Sequence, residues 1–186
     1  MYIQQLNDIH MKEIIVFAGS NSKVSINKQL AEYAASFIQD AKVTVLDLNN
    51  FPLPIFGVDL EKEHGFPEHA QTFLNHIKSS DGIILSLAEH NGAYTTVFKN
   101  LFDWMSRIES KLWHNKPMLL MATSPGARGG RSVLEIAEKR FPFQGGNIIE
   151  TFSLPSFGTH FKDGKIIDET LNSELRKAVE SLEKAL

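Results

Sequence analysis

The 186-residue chain contains no cysteine. That excludes disulfides, thiolate nucleophiles and every metal site built on sulfur, and it fits a reducing compartment, so a cytoplasmic protein is expected. No apolar run approaches the roughly 20 residues needed to cross a bilayer, and the longest, residues 82–88 and 117–122, are strand-sized. Charge of one sign is missing too. Lys plus Arg is 19 against 22 Asp plus Glu, a net charge of −3, which argues against a surface built for nucleic-acid phosphates. There is no internal repeat, low-complexity tract or shift of composition to mark a domain boundary. Residues 1–10 carry no basic stretch followed by an apolar one, so they do not read as a signal peptide. Residues 1–11 are read as an N-terminal extension, or as a stretch ahead of a second start at Met11. Residues 12–186 are read as a single domain, in keeping with roughly 100–200 residues per domain.

Several catalytic signatures are also absent. G-x-x-x-x-G-K-[ST] does not occur, nor does G-x-S-x-G, and the turn after the first strand lacks G-x-G-x-x-G. The seven histidines show no H-x-H or H-E-x-x-H spacing. His69 and His76 are seven apart but have no third ligand, so no metal site is expected.

What the chain does have is an alternation of two periods. Apolar runs at 14–18, 43–48, 83–87, 118–123 and 147–152 read as strands. Helical spacing of apolar residues follows at 26–38, 97–105, 133–137 and 171–182, and a further helix is expected near 67–78. Continuous apolar strands alternating with amphipathic helices predict an α/β fold: a flavodoxin-like, doubly wound, five-stranded parallel sheet with helices on both faces. Two prolines make residues 51–56 an ordered apolar loop, because they lack the N–H a strand needs. Residues 161–166 read as a hairpin turning at Asp163–Gly164.

In such a sheet, ligands bind beyond the carboxyl ends of the strands. The first strand is followed by Gly19-Ser20-Asn21-Ser22-Lys23-Val24-Ser25 and a helix start. Small side chains, hydroxyls and a helix N-terminus suit a phosphate, although a helix capped by Ser25 without any ligand would look the same. The third strand leads into Ala88-Glu89-His90-Asn91-Gly92-Ala93-Tyr94, and the fourth into Ser124-Pro125-Gly126-Ala127-Arg128-Gly129-Gly130. Three polar, glycine-bearing loops thus meet on one edge, as a flat ligand with a phosphate tail would require, unless the glycines serve only to turn the chain. Glu89 beside His90 is read as solvated or hydrogen-bonded to backbone rather than as an acid–base pair. Phe98, Phe102, Trp104 and Trp113 are read as core or subunit interface.

These loops resemble those of the NAD(P)H-dependent FMN reductases, which include quinone, azo and chromate reductases. The form G-S-x-R-x-x-S-x-N is matched by Gly19, Ser20, Ser25 and Asn27. The form P-E-Y-N-G-S, running into K-N-x-x-D-W-x-S-R, is matched at Ala88–Ala93 and at Lys99-Asn100-Leu101-Phe102-Asp103-Trp104-Met105-Ser106-Arg107. The form S-x-G-x-x-G-G is matched by Ser124, Gly126, Gly129 and Gly130, and Leu53-Pro54-Ile55 looks like the family's L-P-L-P segment. The resemblance implies one bound FMN, with NADPH or NADH as co-substrate and a small-molecule acceptor such as a quinone, azo compound or flavin. It places the phosphate on Ser20, Ser22, Ser25, Ile26 and Asn27. It lays the ring along Ala88, Glu89, His90 and Asn91, with Ser124, Gly126, Gly129 and Gly130 on its other side. No protein side chain is then required as a catalytic acid or base. It also implies a homo-oligomer, a dimer or dimer of dimers, that would cover the aromatic helix. The chain departs from the pattern at Ser22, Ala88 and His90, where the family has arginine, proline and tyrosine. A non-enzymatic FMN electron carrier is the alternative, although such carriers are typically strongly acidic.

Overall fold

The structure, a computed structural model, describes residues 11–186. The expected extension up to His10 lies outside the described residues. In chain order the elements are β1 (Lys12–Ala18), α1 (Ile26–Ala35), β2 (Ala41–Leu46), α2 (Val58–His64), α3 (Glu68–Ser79), β3 (Gly82–Leu87), β4 (Glu89–His90) and β5 (Ala93–Tyr94). They continue with α4 (Thr96–Ile108), β6 (Pro117–Thr123), α5 (Arg131–Arg140), β7 (Asn147–Leu154), α6 (Phe157–His160), β8 (Phe161–Lys162), β9 (Lys165–Ile166) and α7 (Glu169–Ala185).

Five strands form one sheet in the order β2-β1-β3-β6-β7, with every neighbouring pair parallel. Side chains alternate across it. Ile15, Phe17, Ile83, Leu85 and Leu120 face α3, α4 and α5, where they meet Phe73, Leu74, Phe98, Leu101 and Leu134. Ile14, Val16, Ile84, Leu119 and Met121 face α1 and α7, against Leu30, Ala34, Leu175 and Leu182. Both faces being covered is why the strands read as unbroken apolar runs. The expected doubly wound α/β architecture is therefore what the chain adopts.

Four details differ from the sequence reading. Leu48 begins a single 3-10 turn instead of ending β2, and α1 stops before Phe37 and Ile38. Helix α2 lies outside the periodic pattern, because it buries no residue and so shows no apolar stripe. Its charges complement the helix dipole instead, with Asp59 and Glu61 in the first turn and Lys62 and His64 in the last. The β4–β5 hairpin is a further addition, in which Asn91 (φ 52°) and Gly92 (φ 77°) form the two-residue left-handed turn that Asn-Gly favours. Of the two readings of Phe98, Phe102, Trp104 and Trp113, core is the one the structure bears out: all four are buried within the chain itself, at 0–4% exposure. They need no second subunit to cover them. The hairpin at Asp163–Gly164 forms as expected, with φ of 48° and 76°. Among the described residues, no helix is long and apolar enough to cross a membrane.

Candidate active site

The loops after β1, β2, β3 and β6 gather at the carboxyl edge of the sheet. Loop one is folded by its own serines. Ser20 Oγ accepts from Ser22 N (3.2 Å), Ser22 Oγ from Val24 N (3.3 Å) and Ser25 Oγ from Lys28 N (3.1 Å). Each hydroxyl accepts a backbone N–H and keeps its own proton to donate. Ser25 is the N-cap of α1, as the sequence allowed. The next two N–H groups, of Ile26 and Asn27, have no acceptor among the described residues. Because α1 has no acidic residue in its first turn, nothing there competes with an incoming anion. Lys28 is drawn away to Asp47 at 2.7 Å. That hydrogen bond raises the lysine's pKa and lowers the aspartate's. Ser22 and Lys23 are exposed.

Asn27 divides its backbone from its side chain. Its side chain is 2% exposed and points into the protein. Oδ1 accepts from Ser86 Oγ (2.7 Å) and Thr123 N (2.9 Å), and Nδ2 donates to Thr123 O (3.1 Å). The amide is used up by strand ends, so only the backbone N–H of Asn27 is left for a phosphate.

Loop two is the β4–β5 hairpin. Ala88 and Glu89 are half-buried, while His90 and Asn91 are exposed. Glu89 is hydrogen-bonded to backbone, as expected: its Oε2 accepts from Val133 N at 3.1 Å. This supplies α5 with the cap that its own N-cap residue, Gly130, cannot provide. Glu89→Ala should therefore lower stability by about 1 kcal/mol, the usual worth of a helix cap. Urea unfolding would measure it, and an unchanged midpoint would mean that water replaces the carboxylate at no cost. Thr95 ties this loop to loop one, donating to Gly19 O (2.7 Å) while accepting from Phe98 N (3.2 Å) as the N-cap of α4. The Tyr94 ring packs on Phe98, Phe102 and Phe141, and burial pushes its phenol pKa up.

Loop three folds back on the segment after β7. Ser124 Oγ donates to Gly126 O (3.3 Å), and Gly126 O also accepts from Ser156 N (2.9 Å). Ser124 is half-buried and Gly126 is exposed, but Gly129 and Gly130 are buried. An added Cβ would lie 2.5 Å from Ser153 Oγ at Gly129 and 2.8 Å from Ala122 Cβ at Gly130. These two glycines are packed closely against the strand ends beneath the loop.

Two adjoining clefts, about 250 and 310 Å³, lie between loop one, the proline segment and the start of α4. Both are lined by Asn21, Leu53, Val97 and Asn100, and the larger also by His90 and Ile55. His90 thus faces the cleft from loop two, whereas no loop-three residue lines either cleft. The proline segment is mounted on α4. Asn100 Nδ2 and Trp104 Nε1 both donate to Pro54 O (3.0 and 2.8 Å), and Asn100 Oδ1 accepts from Phe56 N (2.8 Å). One helical turn on, Arg107 grips Glu61 through two hydrogen bonds (2.8 and 3.0 Å). Asn21, Asn100 and Val97 were not singled out from sequence as site residues. The only signal for Asn100 was its place in the Lys99–Arg107 motif.

The family model for NADPH-dependent FMN reductase matches residues 12–158. The quinone reductase of Escherichia coli K12 is 29% identical over 119 residues, which span 63% of this chain and 63% of that protein, under two thirds of its length. The NADPH:quinone oxidoreductase of Arabidopsis thaliana is 26% identical over 179 residues, 91% of this chain and 89% of that one. Among solved structures, the flavoenzyme NAD(P)H:(acceptor) oxidoreductase FerB from Paracoccus denitrificans superposes with a TM-score of 0.71. It is 24% identical, covering 94% of this chain and 98% of that chain, a likeness of fold.

Proposed function

The chain belongs to the NADPH-dependent FMN reductase family, an NAD(P)H-dependent oxidoreductase with FMN as cofactor, and from that premise we propose that its acceptor is a quinone. The observation that carries this reading is the cleft beside loop one. Its walls combine apolar side chains, Leu53, Ile55 and Val97, with the amides of Asn21 and Asn100, a lining suited to a flat ring with polar edges. Relatives named quinone reductase and NADPH:quinone oxidoreductase support it.

The residues fit FMN on a test independent of the family. Loop one offers three hydroxyl protons, and two N–H groups without acceptors among the described residues sit at the start of a ten-residue helix. We assign the phosphate to the Ser20, Ser22 and Ser25 hydroxyls and the Ile26 and Asn27 N–H groups. Ala88 to Asn91 are assigned to the ring, with Ser124 and Gly126 beyond it. When bound, FMN supplies the two-electron chemistry between reduced nicotinamide and acceptor. The protein's part is to bind and orient. Loop one holds the anionic end, and the α4-mounted proline segment walls the cleft and excludes water. No side chain in the cleft is needed to move a proton. Residues 12–186 form the FMN-binding domain in this reading. A dimer or dimer of dimers belongs to it through the family resemblance alone, since the aromatic helix is already covered.

Protein purified with FMN should be yellow, and NADH or NADPH oxidation should become rapid on adding a benzoquinone. Flavin bound without quinone-dependent oxidation would leave an electron carrier, and absence of bound flavin would remove the cofactor assignment.

A further inference from the structure

We propose that Asn27 is a positioning residue for the cofactor site: its buried amide sets the three loops relative to one another and takes no part of the ligand. This rests on the FMN reading above. The register explains why an amide is needed. The last β3–β6 pair is Leu87 with Ala122, so Thr123 extends one residue beyond its neighbour. Its N–H and C=O then lack a partner on that side, and leaving both unpaired in the interior would be costly. The side-chain amide of Asn27 offers one acceptor and one donor in a fixed plane. It meets Thr123 N and O at 2.9 and 3.1 Å, in the place a further β3 residue would fill. The backbone also decides the amide's orientation, since Thr123 N–H requires Oδ1 and Thr123 C=O requires Nδ2.

The second bond to Oδ1, from Ser86 Oγ, couples α1 to the end of β3, just ahead of loop two. Thr123 is the last residue of β6, directly ahead of loop three. Asn27 itself is the second residue of the helix that loop one enters. The linkage continues outward on both sides. Ser86 O accepts from Gly19 N (2.8 Å), Gly19 O accepts from Thr95 Oγ1 (2.7 Å), and Thr123 Oγ1 donates to Leu154 O (2.7 Å). A continuous buried chain of hydrogen bonds thus runs beneath all three loops, with Asn27 at its centre. Ser86, Thr95 and Thr123 are at most 3% exposed.

The test separates positioning from phosphate binding by comparing two flavins. Asn27→Ala keeps the backbone N–H and removes only the amide. If Asn27 positions the loops, FMN and riboflavin should both bind about tenfold more weakly, with the ratio of their Kd values unchanged. If Asn27 were a phosphate ligand, FMN affinity would fall alone and the ratio would shrink, overturning the proposal. Unchanged affinity for both would overturn it equally. Binding is read by flavin fluorescence at a temperature where circular dichroism shows the variant folded, so a loss of global stability does not enter. Should Asn27→Ala fail to fold, Ser86→Ala decides, because Ser86 is wholly buried in β3 and cannot touch a ligand. It should weaken both flavins by a common factor, and wild-type affinities for both would overturn the proposal. Wild-type protein that binds neither flavin would instead refute the cofactor reading itself.

Discussion

FMN is expected to bind this protein at least about a hundredfold more tightly than riboflavin, a difference of about 3 kcal/mol. The two ligands differ only in the phosphate, so the ratio reports loop one alone. In the reading proposed above, its donors are the Ser20, Ser22 and Ser25 hydroxyls, each already oriented by the backbone N–H it accepts, and the N–H groups of Ile26 and Asn27. A hydrogen bond to a charged group contributes about 1.5–3 kcal/mol, so two net bonds reach the expected difference. The helix N-terminus adds a smaller favourable field. No guanidinium contributes, because Ser22 stands where the family has arginine, and Lys28 is held by Asp47. Lys23 is the adjacent exposed cation of loop one, so the salt dependence of the ratio separates the two contributions: a difference carried by the neutral donors survives moderate salt, and one that leans on Lys23 falls. Fluorescence titration of both flavins against apoprotein measures it, and equal affinities would remove the phosphate from loop one.

The sheet was legible because its physics is local. A strand buried on both faces is apolar at nearly every position, and runs such as Ile14–Ala18 and Ile83–Leu87, with Ser86 the one polar exception, are too short for a helix between the glycine and polar turns that bound them. The site was legible only in part. Which loops meet at the carboxyl edge follows from the alternation of elements, but what each polar side chain does there depends on partners far along the chain. Asn27 offers the same amide to a phosphate or to a strand end, and Thr123, 96 residues away, decides between them. Glu89 caps a helix 44 residues on, and Asn100 clamps a segment 46 residues back. Helix α2 was hidden for another reason: with no buried residue it has no periodic stripe, and its anchor is the Glu61–Arg107 pair. That pairing lowers the glutamate's pKa and raises the arginine's. Asn91-Gly92 carries a turn signal, but strands of two residues leave no alternation around it to mark a hairpin.

Gly129→Ala should be among the most damaging single changes outside the hydrophobic core. Gly129 sits at φ 59°, and a β-carbon in the left-handed region costs roughly 1–2 kcal/mol. The new methyl would also lie 2.5 Å from Ser153 Oγ and 2.9 Å from both the carbonyl carbon and oxygen of Leu154. Ser153 is not free to rotate away, because its hydroxyl donates to Gly129 O at 3.0 Å and moving it breaks the bond that seats loop three. Leu154 is the last residue of β7, and its carbonyl accepts from Thr123 Oγ1, so that backbone is held on both sides. Overpacking of this kind costs about 1–3 kcal/mol, and with the backbone term the total is about 3 kcal/mol. For a chain of this size each kcal/mol lowers Tm by about 2–4 °C, so a drop of about 6–12 °C is expected. Gly126→Ala is the matched control in the same loop. Gly126 is exposed, and its added methyl would meet only Ser124 Oγ, at 3.9 Å, so a change within about 0.5 kcal/mol is expected. Thermal unfolding of the two variants side by side decides the matter: equal melting temperatures would mean that loop three rests on β7 without being held by it.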